Sequence, residues 1–178
     1  MSATENIRFN VLRNALYHTA QRLKFERRTR WLNFGVIVAG ASAMGGVLGY
    51  LGWPQFLAGA FAALLGAIQL VFDPAGSARE HRTLQRDYYN LLADIEEVTE
   101  PTADQCAAWY SRMVRIAGDE PPVMRAVDAK AYNDAIGAME MDQQERLHIP
   151  LLHRLLQNWV SFEGYTYRKL CELPGKAG

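Results

Sequence analysis

Four histidines, two cysteines and scattered carboxylates are the groups in this chain whose types could do acid–base, nucleophilic or metal chemistry. His148 and His153 are five residues apart, which takes them off a common helical face, and no neighbouring Asp or Glu completes a metal-ligand set. His18 and His81 stand alone and read as surface histidines. Glu96, Glu97 and Glu100 form an acidic group at a helix end, solvated by water. Cys106 and Cys171 are too few for a disulfide framework and read as reduced thiols. No glycine-rich phosphate loop follows a strand, and no nucleophile has a base at hand. The expectation is a non-enzyme with no catalytic, cofactor-binding or metal residues. A membrane enzyme would have only His81 and Asp73 to work with.

Three further polar residues stand out by their surroundings. Asn33, Ser42 and Gln69 lie within Trp31–Phe72, 42 residues without one Asp, Glu, Lys, Arg or His. A charge at the centre of a membrane helix costs about 2.5–3.5 kcal/mol, so such a stretch reads as lipid-embedded. One span needs about 20 apolar residues, whereas a single helix of this length would run about 63 Å. Two spans fit, with Leu51-Gly52-Trp53-Pro54-Gln55 as the turn. Gly52 suits a helix end and Pro54 a first helical turn. The sequence thus predicts helices over 31–51 and 54–72 as a transmembrane hairpin. The competing reading, a buried hairpin in a soluble domain, requires a polar face that these helices lack. Within the hairpin, Asn33, Ser42 and Gln69 are the pore-lining candidates. Small residues recur every fourth position: Gly35, Ala39 and Ala43, then Gly45 and Gly49, then Gly59, Ala63 and Ala67, with Gly66 four after Ala62. Such faces let helix backbones approach closely, within one chain and between chains.

The flanks of this stretch are basic. Residues 1–30 carry seven Lys/Arg against Glu5 and Glu26, and residues 73–178 carry twelve against seventeen Asp/Glu. A neutral whole therefore hides a basic collar and an acidic body. Arg22, Lys24, Arg27, Arg28 and Arg30 precede the hairpin, and Arg79, Arg82 and Arg86 follow it. Basic flanks stay in the cytoplasm and attract anionic lipid. Both termini are expected to be cytoplasmic, in a multi-pass protein of the cell inner membrane. No cleavable signal peptide is expected, the first span serving as an anchor. Nucleic-acid binding is not expected from this collar.

The rest reads as helices. Residues 3–30 form an amphipathic helix with Ser2 and Glu5 at capping-box spacing and Phe9, Leu12, Leu16, Ala20 and Leu23 on one face, widened by Ile7 and Val11. After a break at Asp73–Gly76, Ser77 and Glu80 cap a helix to Val98, with a seam of Leu84, Tyr88, Leu91, Ile95 and Val98. Thr102 and Gln105 open a helix that Gly118 closes, burying Cys106, Trp109, Met113 and Ile116. A helix over 122–141 turns Val123, Val127, Ala131 and Ile136 inward, and a strongly apolar one over 150–170 sits at the centre of a cytosolic bundle. The fold class is all-α. It comprises a basic amphipathic helix over 1–30, a two-helix transmembrane hairpin over 31–72 and a cytosolic helical domain over 73–178.

This layout resembles the SLATT family, the two-transmembrane effectors of bacterial conflict and anti-phage systems. The local likenesses are Arg27-Arg28 leading into Trp31, the segment His81–Tyr89 (HRTLQRDYY) and the segment His148–Leu156 (HIPLLHRLL). The resemblance implies a membrane effector that assembles as a homo-oligomer and permeabilises the membrane on a signal from a partner sensor enzyme or its nucleotide product, encoded nearby. It carries over no catalytic residues. The alternative is a membrane-anchored docking module without pore activity.

Overall fold

A computed structural model describes residues 2–50, 52, 54 and 56–173, with the side chains of 43–45, 47 and 48 also outside the description. The expected turn residues Leu51, Trp53 and Gln55, the packing positions Ala43 and Gly45 beyond their helical backbone, and the tail after Leu173 thus lie outside the described residues. The described chain is all-helical, and its β structure is an isolated antiparallel bridge between Leu147 and Lys169. The helices are α1 (Ala3–Gly45), α2 (Val47–Tyr50), α3 (Phe56–Phe72), α4 (Pro74–Glu96), α5 (Ala103–Gly118), α6 (Arg125–Ala138) and α7 (Leu151–Leu156). They divide into two compact units, one of Met1–Ala20 with Arg82–Gly178 and one of Gln21–His81.

The first unit is built around the start of α1. Ser2 and Glu5 form the expected capping contacts, Glu5 N–H donating to Ser2 Oγ at 3.2 Å and Ser2 N–H to Glu5 Oε2 at 2.7 Å. Beyond the cap, α1 is buried on more than one side. Ile7, Val11 and Ala15 pack on Tyr88, Leu91 and Ile95 of α4 and Trp109 of α5. Phe9, Leu12 and Leu16 pack on Tyr132, Ala135 and Ile136 of α6, and Tyr17 with Ala20 on Val127 and Ala131. Ile7 and Val11 are therefore not the margin of one stripe but a second face, and Leu23 is exposed. The α4 seam meets α1, and α5 starts with a complete Thr102/Gln105 capping box and turns Trp109 inward, as its spacing requires. The α6 helix begins at Arg125, so Val123 is exposed rather than inward.

The helix expected over 150–170 is not formed, and it is not central. Only Leu151–Leu156 are α-helical, while Leu151, Leu155 and Trp159 are each about three-quarters exposed, at 76%, 75% and 76%. Phe162 and Gly164 take positive φ (53° and 75°), which ends any helix there. The physical reason for the misplacement is that α1 already occupies the bundle centre.

In the second unit α1 continues without interruption from the basic segment into the charge-free one. It stops at Gly45, before Gly46 (φ 64°), so the expected helix to residue 51 is instead α1 followed by the short α2. Gly52 has φ 73°, as its place in a turn requires, and α3 starts at Phe56 rather than Pro54. The break after α3 is one residue wide. Asp73 (φ 32°) accepts Gly76 N–H on Oδ1 at 2.8 Å, and Pro74 is the first residue of α4. Ser77 is consequently inside α4 and does not cap it.

Candidate functional site

Within the second unit the charge-free segments of α1 and α3 run antiparallel, since Asn33 meets Gln69 and Gly35 meets Leu65. The closest approach is at Gly35, where a Cβ would come 2.8 Å from Leu65 Cδ1. Among the described residues Ala39 and Ala58 are the buried apolar ones of this segment pair. The large side chains point the other way: Trp31 (67% exposed), Ile37 (69%), Phe56, Leu70, Val71 and Phe72 are all exposed. An apolar groove of about 660 Å³ lies between Phe34, Val38 and Ser42 on α1 and Leu57, Phe61 and Leu64 on α3.

The three pore-lining candidates separate. Gln69 Nε2 donates to Asn33 Oδ1 at 2.7 Å, which pairs two amides across the helices. Ser42 Oγ donates to Val38 O at 2.8 Å, bonding its own helix, and borders the groove. The amide pair is a contact the sequence reading did not draw, although both residues stand at similar distances from the Gly52 turn.

The small residues separate too. Gly35 and Ala39 serve the contact between α1 and α3. Gly59, Ala63 and Ala67 are exposed on α3, and a Cβ at Gly59 or Gly66 would meet nothing within 4 Å. Gly49 is exposed on α2. Among the described residues this second set is thus not drawn into the close contact that Gly35 makes.

The basic collar is partly tied down. Arg22 and Arg30 reach Glu26 at 3.6 and 3.9 Å. Lys24 Nζ lies 4.8 Å from the centre of the Phe25 ring, Arg28 5.7 Å from it, and Phe25 stacks on His81. Burial, with Arg28 adding to it, lowers the Lys24 pKa to about 8. Arg27 and Arg30 border a shallow cleft with Trp31 and Phe34, where the basic and apolar segments of α1 join. Arg79, Arg82 and Arg86 are exposed along α4, Arg86 lying 3.4 Å from Asp87.

In the first unit the structure brings together three residues that sequence reasoning left apart. His18 is fully buried, its Nε2 3.2 Å from Glu120 Oε1 and its ring stacked on Tyr88. Tyr88 donates its hydroxyl to the same carboxylate. Burial, and then Glu120, push the Tyr88 pKa well up. A signal existed: Val11, Ala15 and His18 step by four and three, so His18 continues a core face. Glu120 also borders a polar cavity of about 500 Å³ with Asn10, Arg13, Asn14, Arg125 and Asp128. Arg13 Nε donates to Asp128 Oδ1 there at 2.9 Å. Among the described residues no group of three His, Cys, Asp or Glu is placed to hold a metal ion.

Among the described residues one helical run, Phe56–Glu96 through Asp73, is long and apolar enough to cross a membrane, and 6% of its most apolar window is buried. No family model, curated protein or solved structure matches this chain.

Proposed function

We propose that the protein is a membrane effector of the SLATT kind. The charge-free segments of α1 and α3 cross the inner membrane as a hairpin with both termini in the cytoplasm. Copies associate through the outward small residues of α3, and the assembly permeabilises the membrane when a partner sensor signals. The observation that carries this reading is the inverted packing of the second unit, where the small residues Ala39 and Ala58 are inside and the large Trp31, Ile37, Phe56 and Leu70 outside. A soluble protein does not expose an apolar surface of that extent, whereas lipid covers it without cost. The open space at Gly59 and Gly66 supports close approach by another helix.

The test is dye leakage from liposomes carrying purified protein at increasing density. Gly59→Leu with Ala63→Leu leaves the α1–α3 contact intact and is expected to cut leakage several-fold. Wild-type leakage from that variant would remove the assembly mechanism. Activity retained after exchanging both charge-free segments for an unrelated hairpin would favour the docking module instead.

A further inference from the structure

The segment after α6 presents its apolar residues outward by construction. Asn133 pins its start, donating to Leu147 O at 2.8 Å and accepting Leu147 N–H at 2.6 Å. His148 N–H donates to Arg168 O and Leu170 N–H to Arg146 O, each at 2.8 Å, which closes the base of a loop over 149–167. Arg125 N–H donates to Ser161 O at 3.0 Å and ties the far limb to α6. On α7 the residue facing the loop's own packing is His153. It stacks on Phe162 at 3.9 Å and its Nδ1 lies 2.9 Å from the Tyr167 hydroxyl. With His153 held there, Leu151, Leu152, Leu155 and Trp159 are left exposed.

The charge around these residues is distinctive. Residues 146–162 contain Arg146, Arg154, His148 and His153 and no acidic side chain. Residues 146–171 as a whole carry four Lys/Arg against Glu163, while residues 73–145 carry seven against fifteen Asp/Glu. The apolar face is thus set in the basic part of an acidic body. A second copy docking symmetrically would bring two such basic faces together. An anionic lipid surface offers the opposite sign, and Leu and Trp with nearby Arg are the residues that enter its headgroup boundary.

We infer that the loop over 149–167 is a membrane-surface prong, whose Leu151, Leu152, Leu155 and Trp159 insert into the headgroup region of an anionic bilayer while Arg154 and Arg168 contact lipid phosphate. The inference rests on the membrane reading above. Its test uses the full chain, with Cys106→Ala and Cys171→Ser, in lipid nanodiscs. An environment-sensitive dye is attached at Leu155→Cys or, separately, at Ile37→Cys, and quenching by brominated lipid is read at each. Quenching at residue 155 is expected in discs containing phosphatidylglycerol and weaker in phosphatidylcholine alone. Arg154→Gln and Arg168→Gln are each expected to lower insertion about fivefold. Quenching at 37 but not at 155 overturns the prong and leaves the membrane reading standing. Quenching at neither site overturns both. A dye shift at 155 that follows protein density, without bromide quenching, assigns the face to a second copy and overturns the prong.

Discussion

Tyr88 lies in the α4 seam but carries a hydroxyl, and a buried hydroxyl needs a partner. Glu120 supplies it, and His18 closes the group from α1. The Tyr88 pKa is raised above the ordinary value of 10.0, so the folded state keeps a proton that the unfolded state loses. This contribution to stability is whole below pH 10 and is lost as pH rises beyond it, at up to about 1.4 kcal/mol per pH unit. Alkaline unfolding of detergent-solubilised protein, followed by circular dichroism, should show that slope. Tyr88→Phe should flatten it. Lys24 has the opposite sign: with its pKa lowered to about 8, it favours folding more as pH rises from about 8 toward its unfolded value. The seam position of Tyr88 was legible from spacing alone. The carboxylate that completes it was not, because Glu120 lies in a loop whose course depends on where α5 and α6 pack.

At the scale of elements, the contact between α1 and α3 sorts glycines that look alike in sequence. A Cβ at Gly35 would press on the end of the Leu65 side chain, which can turn away, so Gly35→Ala is expected to be mild. Gly35→Leu has no such escape and should cost about 1–3 kcal/mol. Gly66→Ala meets open space and should be neutral or stabilising by up to about 1 kcal/mol in helix propensity. Thermal unfolding of the three variants in one detergent checks the order, and equal losses at residues 35 and 66 would refute this packing. Element ends were legible where a cap spells them, as at Thr102 and Gln105. They were not at Ser77, because Asp73 takes the cap four residues earlier through a backbone turn that spacing does not encode. Residues 150–170 misled for a different reason. An apolar run does not say where it sits, and a core helix and an exposed loop use the same leucines.

At the scale of the molecule, the first unit is discontinuous in sequence: its central helix comes from residues 1–20 and its remaining helices from beyond residue 81. Periodicity showed an amphipathic start to the chain but not this role, since a helix buried on several sides mixes its stripes into a pattern of no clear period. Ile7, Phe9, Val11 and Tyr17 are buried there. At about 1.5–3 kcal/mol each, these four side chains contribute about 6–12 kcal/mol, comparable to the whole stability of a typical domain. Residues 82–178 expressed alone should therefore lack a cooperative thermal transition. Residues 1–20 joined to 82–178 by a flexible Gly/Ser linker should regain one, together with helical circular dichroism. Val11→Ala in that fusion should lower its stability by roughly 1–3 kcal/mol. A cooperative transition in 82–178 by itself would mean that those helices hold a core without α1, and the centre of the body would have to be sought among α4, α5 and α6.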